Sequence, residues 1–197
     1  MNFNLINDAW IPVVRQDGSN DKIMPWQIAE RDNPVMEIKA PRPDFQGALY
    51  QFMIGLLQTC CAPEDEDEWL EYWEETPTPE ALQEAFEKVA EAFELFNPDG
   101  VAFMQENPTS DKHQEEFDKA EWLPVEDLIG GALSGNTRKG NKDLFVKTKQ
   151  VEVISPHWAA LSLFNVQVTG VLAWGQHRIG LRGNAPLTTI VLPDASQ

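Results

Sequence analysis

Residues 44–61 read DFQGALYQFMIGLLQTCC, and this stretch organises everything around it. Ala48, Leu49, Phe52, Met53, Leu56 and Leu57 recur at i, i+4, i+8 spacing and make a wide apolar stripe along one helix. The pattern predicts the central core helix, capped at its start by Asp44. Cys60 and Cys61 fall at its end, just before Ala62-Pro63. They read as ordinary small residues at a helix terminus rather than as a reactive thiol pair. Two adjacent cysteines suit neither a disulfide framework nor a zinc site, which points to a reducing, cytoplasmic setting.

Upstream of this helix the signals change from helical to extended. Leu5-Ile6 and residues 10–14 (WIPVV) are strand-like, Asp17-Gly18 supplies a turn, and Lys22-Ile23-Met24 resumes, so an N-terminal β-hairpin is expected. Pro12 has no N–H to give a ladder and is expected on an edge strand. Residues 26–31 have room for one helical turn. Downstream, helices are expected over 66–75 and 79–96. Pro79 suits a first turn, and Leu82, Phe86, Val89, Ala90, Phe93 and Leu95-Phe96 form the buried side. Residues 97–100 (NPDG) make a turn, 107–119 read as a polar loop, and 123–133 as a further helix. Ser155-Pro156 opens another helix carrying Trp158, Leu161 and Phe164, and residues 187–192 (LTTIVL) read as a strand. The fold class is therefore α+β: one mixed domain over 1–197 with an N-terminal β-hairpin, several helices and a mixed sheet.

The chain has 197 residues and 42% hydrophobic content, ample for a buried core. It shows no apolar run long enough to span a membrane and no secretory signal at its start. The net charge is −17, which taken alone argues against nucleic acid. Its distribution says otherwise. Thirteen acidic residues lie between Glu64 and Glu94 against the single Lys88, within an acidic helical region of about 44–97. Residues 136–182 hold Arg138, Lys139, Lys142, Lys147, Lys149, Arg178 and Arg182 against only Asp143 and Glu152, a local +5. The region of about 134–192 is thus the one able to face phosphates. Glu80, Glu84, Glu87, Glu91 and Glu94 read as a solvated helix face rather than as paired catalytic carboxylates.

Conventional catalysis finds little support. His113, His157 and His177 do not form an i, i+4 metal pair, and neither HExxH, CxxC nor a GxSxG elbow occurs. No catalytic residue, metal or cofactor is assigned. Residues 175–191 (GQHRIGLRGNAPLTTIV) place Gly175 and Gly180 at the spacing of a phosphate loop. Leu181-Arg182 stands where lysine and a hydroxyl are required, and Pro186 with a β-branched run follows where a helix should begin. Nucleotide hydrolysis is rejected. What remains is a glycine-bearing loop with Gln176, His177, Arg178 and Arg182, readable either as a plain turn or as a backbone that approaches a nucleic-acid strand. Residues 134–142 (SGNTRKGNK) have the composition of a basic loop, and Phe145 follows between flanking charges.

Several of these pieces, in order, resemble the N-terminal part of the large subunit (CasA/Cse family) of the type I-E CRISPR Cascade complex. They are NLINDAWIPV at the start, FMQ at 103–105, NT at 136–137, FV at 145–146, LFN at 163–165 and GLRGNAPLTTIV from Gly180, which is similar to the family's GLRGGTPVTT run. The resemblance implies a non-enzymatic subunit of a crRNA-guided complex that recognises a protospacer-adjacent motif, helps open double-stranded target DNA and recruits a helicase-nuclease or other nuclease. It implies partners among the other Cascade subunits with crRNA, and no membrane. It also implies nucleic-acid contact by the segment of Phe145, Val146 and Lys147, where an aromatic ring can wedge or stack and Lys147 can take a phosphate. The second implied contact is the glycine loop ahead of GLRG. Here the chain departs from the family, with Trp174-Gly175-Gln176 keeping one clear glycine. The expected interface therefore comprises Arg138, Lys139, Lys142, Phe145, Val146, Lys147, Gly175, Gln176, His177, Arg178 and Arg182. Family members are longer, so the chain reads either as a short form or as a fragment of a larger protein. A scaffold that assembles with crRNA-bound subunits without touching DNA is the alternative.

Overall fold

In a computed structural model, the structure describes residues 2–98, 100–105, 111–119, 124–125, 127–130, 140 and 151–169. Strands β1 (Ile11–Arg15), β2 (Asn20–Ile23) and β3 (Val35–Ile38) form an antiparallel sheet in the order β2-β1-β3. Residues 25–29 make a short 3-10 helix. The helices are α1 (Pro43–Cys60), α2 (Glu66–Glu74), α3 (Pro79–Glu87), α4 (Asp111–Asp118), α5 (Asp127–Gly130) and α6 (Pro156–Thr169). The class is α+β, as expected.

The hairpin forms where the sequence places it. Gly18 takes φ +83°, a backbone region that favours glycine, and its N–H donates to the Arg15 carbonyl at 2.9 Å. Burial alternates along β1, so Ile11 and Val13 face the core. Leu5-Ile6 is not strand: residues 5–7 form a turn beside an isolated bridge between Asn4 and Glu94. Pro12 is not on an edge, because β3, which carries little apolar patterning, pairs on the other side of β1. The sheet tolerates it because the Pro12 carbonyl accepts from Lys39, so its missing N–H also points toward β3, just past the last strand residue, Ile38.

α1 is the core helix. Phe45, Ala48, Leu49, Phe52, Met53 and Leu56 are buried, and they meet Trp10, Ile11, Ile23 and Ile38 from the sheet side and Leu82, Phe86, Leu161 and Phe103 from the others. Phe52 is the hub of an aromatic cluster, with ring centroids 5.2 Å from Trp10, 5.6 Å from Phe164, 5.9 Å from Phe93 and 6.3 Å from Phe103. Asp44 is not the N-cap. Pro43 occupies the first turn and Arg42 the cap position, so Asp44 lies inside the helix with its carboxylate turned to other partners.

Two further expectations change. The helix expected over 79–96 stops at Glu87 and gives way to a 3-10 turn at Ala90–Phe93. Its last residues are drawn into backbone pairing: the Leu5 N–H donates to the Phe93 carbonyl, that of Leu95 to Phe3, and that of Phe103 to Glu94. Within the stretch 107–119 expected as a loop, α4 forms instead. It has no apolar period to read and stays exposed, held by local pairs such as Gln114 with Asp118 at 2.8 Å and Lys119 with Glu115 at 3.6 Å. α2 matches its expected span, with Asp65 as N-cap accepting from the Glu68 N–H. Glu80, Glu84, Glu87 and Glu91 are solvated, and Glu94 is half-buried against Asn4.

The N-terminal NLINDAW segment is a polar knot. The Asn4 amide donates to the Ala90 carbonyl at 2.8 Å and to Glu94 Oε1 at 3.0 Å, and its Oδ1 accepts from the Ile6 N–H at 2.9 Å. The Asn4 N–H donates to Asp8 at 2.7 Å, and the Trp10 indole N–H donates to the Leu5 carbonyl at 2.8 Å. Each residue of the motif that carries hydrogen-bonding capacity into the core thereby finds a partner. Arg15, buried in the sheet, is matched by Asp21 at 2.9 Å and Glu30 at 2.6 Å.

Candidate nucleic-acid interface

The eleven residues expected at the interface lie outside the described residues, as does the strand expected at 187–192. The described residues do hold the framework from which the first of the two implied contact segments departs and to which it returns. α5 ends at Gly130 and α6 begins at Pro156, so the segment with Arg138, Lys139, Lys142, Phe145, Val146 and Lys147 starts and finishes on two helices that pack together.

Both of those helices are tied to the first turn of α1. The Arg42 guanidinium donates to the Ile129 carbonyl on α5 and pairs with Asp44 through Nε at 3.0 Å and Nη2 at 2.6 Å. The same cation lies 4.4 Å over the Phe45 ring. Asp44 Oδ2 also accepts from the Asn165 amide on α6 at 3.0 Å, and Phe45 stacks on Trp158 with centroids 5.9 Å apart. Burial opposes ionisation of Asp44, but the Arg42 hydrogen bonds and charge outweigh it and hold the carboxyl below its usual range. Arg42, Phe45 and Asn165 carry this clamp; of these only Asn165 falls in a quoted motif, the LFN run at 163–165, and that motif assigns it no role. The Arg-Pro-Asp run at the mouth of α1 is the available signal: a cation directly before a helix that opens on an acid.

Cys60 and Cys61, read as ordinary residues at a helix end, and His157 lie among the described residues. Cys60 and Cys61 are free, half-buried thiols, both pushed up by burial, although Lys88 pulls the other way. His157 sits at the start of α6 with Nε2 3.4 Å from Lys22 Nζ, and burial followed by that neighbouring charge lowers its pKa. Among the described residues no group of three His, Cys, Asp or Glu could hold a metal. A cavity of about 450 Å³ lies between α1 and α6, lined by Phe52, Leu56, Phe93, Phe103, Phe164 and Val168 among others. It offers apolar surface and no pair of titratable groups. No helix among the described residues is long and apolar enough to cross a membrane.

The profile of the CRISPR-associated protein Cse1 family matches residues 4–192. The chain belongs to the Cse1 family. Its fold is similar to that of solved structures from this family. Thermobifida fusca Cse1 superposes with a TM-score of 0.63 at 20% identity, over 85% of this chain and 30% of the other. Acidimicrobium ferrooxidans Cse1 gives 0.61 at 21% identity, over 85% and 29%. A structure of a CRISPR RNA-guided surveillance complex, pre-nicking, gives 0.62 at 14% identity, over 86% and 34%. The chain thus spans about a third of the length of these solved proteins. No curated protein matches it significantly. As a Cse1-family chain, it shares with those structures the fold described above, in which α1 is wrapped by the sheet, α3 and α6.

Proposed function

We propose that this chain acts within a crRNA-guided type I CRISPR surveillance complex, as the part of the large subunit that reads the protospacer-adjacent motif, engages double-stranded target DNA where the R-loop starts, and helps recruit the effector nuclease. The observation that carries the reading is the span of the family match. It runs from residue 4 to 192 and so takes in both the framework and the basic region of 134–192. The clamp of Arg42, Asp44 and Asn165 supports it further, since a contact segment rooted on fixed helices loses less freedom when it meets DNA. In this reading the chain contributes binding and orientation and no chemical step. Phe145 wedges or stacks at a base step, Lys147 and the cations at 138, 139 and 142 meet phosphates, and residues 175–182 approach the duplex alongside them.

The test is a reconstitution with crRNA and the other subunits, followed by binding of duplexes with and without the motif. Phe145→Ala combined with Lys147→Ala should weaken binding of the motif-bearing duplex by about tenfold or more and flatten its salt dependence, with assembly intact. Unchanged DNA affinity in an assembled complex would instead favour a scaffold without DNA contact, the reading that the net charge of −17 favours.

A further inference from the structure

α2 is a nine-residue helix without a single buried residue, yet it carries two tryptophans and a leucine. Trp69 is 52% exposed, Leu70 50% and Trp73 75%. The two indoles sit one turn apart with centroids 6.3 Å apart, tilted 45° to one another, so they form one continuous apolar ridge. On the helix's inner side Tyr72 and Glu68 are half-buried, with the Tyr72 hydroxyl donating to Glu68 Oε1 at 3.4 Å. So short a helix has little stability of its own, and outward-facing indoles do nothing for the core. Exposed aromatic surface of this extent marks a contact site rather than a packing remainder.

The surrounding charge says what covers it. Asp65, Glu66, Asp67, Glu71, Glu74 and Glu75 are all exposed around the ridge, and no lysine or arginine occurs between residues 64 and 87. Arg31 reaches Glu75, beyond the end of the helix, at 4.0 Å. Nucleic acid and anionic lipid bring charge of the same sign and are repelled, and a second copy that pairs α2 with α2 brings the same acidic ring. A lysine- or arginine-bearing segment gains twice, through the carboxylates and through cation–π contact with the indole faces.

We propose that the outer face of α2 is a docking surface for a cationic protein segment, with Trp69, Leu70 and Trp73 as apolar anchors inside a carboxylate rim. It is a protein contact on a different part of the chain from the basic region and does not depend on the DNA-binding reading.

The test uses the full chain and two dye-labelled amphipathic peptides, one of alternating Lys and Leu and one of alternating Glu and Leu, followed by fluorescence anisotropy. The Lys/Leu peptide should bind and weaken with salt. Trp69→Ala with Trp73→Ala should reduce its affinity by about tenfold while far-UV circular dichroism stays unchanged. Glu71→Gln with Glu74→Gln, which leaves the ridge in place, should reduce affinity by several fold and flatten the salt dependence. The proposal is overturned if the Lys/Leu peptide fails to bind, if it binds the tryptophan variant as tightly as the parent, or if the Glu/Leu peptide binds equally well. It also fails if phosphatidylglycerol vesicles bind the ridge, or if sedimentation shows the parent self-associating in a way that the tryptophan variant abolishes.

Discussion

Asp44 Oδ2 accepts a hydrogen bond from the Asn165 amide at 3.0 Å, joining the first turn of α1 to the middle of α6 across more than a hundred residues of chain. Asn165 is buried, and on its other side Asp44 is gripped by Arg42. Asn165→Ala should therefore cost about 1–2 kcal/mol, read as a lower urea midpoint with an unchanged slope. If residues 131–155 depend on this anchorage for DNA contact, the same variant should weaken duplex binding in the assembled complex without touching a nucleic-acid-facing residue.

The Asp44 carboxyl sits below its usual range in the fold, so the unfolded chain binds its proton more readily. Its stabilising effect is present above the ordinary carboxylate pKa and is lost as pH falls through that range toward the lowered folded value. Asp44→Asn should flatten this acid limb. Parallel urea melts of parent and variant from neutral to acid pH should converge as the pH drops, and curves that stay equally separated would remove Asp44 from the acid response.

His157 acts in the same direction but in a higher pH range. Burial and the nearby Lys22 hold its pKa below 6.5, so the unfolded chain takes up the proton first and stability declines as pH falls through the ordinary histidine range. His157→Gln should lose less stability than the parent between neutral and mildly acid pH. Lys22→Gln should raise the His157 pKa only in part, since burial is the larger cause, and an NMR titration of the ring protons reads both effects.

Asn4 holds the N-terminal turn to residues 90–94 through its whole side chain. Asn4→Leu keeps the volume but leaves the Ala90 carbonyl, Glu94 and the Ile6 N–H short of a partner. It should destabilise by about 2–3 kcal/mol, because buried polar groups lose their hydrogen bonds together. Thermal or urea unfolding checks this, and Asn4→Asp should fare no better, since a carboxylate cannot donate to Ala90.

Phe52 touches Trp10, Phe93, Phe103 and Phe164 at once. Phe52→Ala should cost about 3–5 kcal/mol in unfolding free energy, with the existing cavity beside it enlarged. Phe52→Leu should recover more than half of that loss.

Elements with a local pattern are legible in the residues themselves. α1, α2, α6 and the β1–β2 hairpin each bear a signature: a helical apolar stripe, an acidic N-cap, a Ser-Pro start, an Asp-Gly turn. β3 bears none, since Val35-Met-Glu-Ile38 is too short to show a period, and its place beside β1 comes from pairing rather than propensity. The early end of α3 is equally hidden. Its apolar residues continue past Glu87, and only the competing backbone partners at Phe3 and Leu5 draw residues 93–95 out of the helix.

The same boundary runs through the function. Order of motifs along the chain, the contrast between an acidic helical region and a locally basic stretch over 136–182, and family membership are properties of the sequence, because they need only residue identity and spacing. Whether an asparagine, an aspartate and an arginine meet is decided by tertiary structure. Arg42, Asp44 and Asn165 have no shared period or motif, and they become one clamp because α6 packs against the first turn of α1. The two indoles of α2 can be read from the sequence as one stripe. That nothing in the described fold buries them is a property of the folded molecule, since burial is set by the neighbours a residue finds and not by its own chemistry.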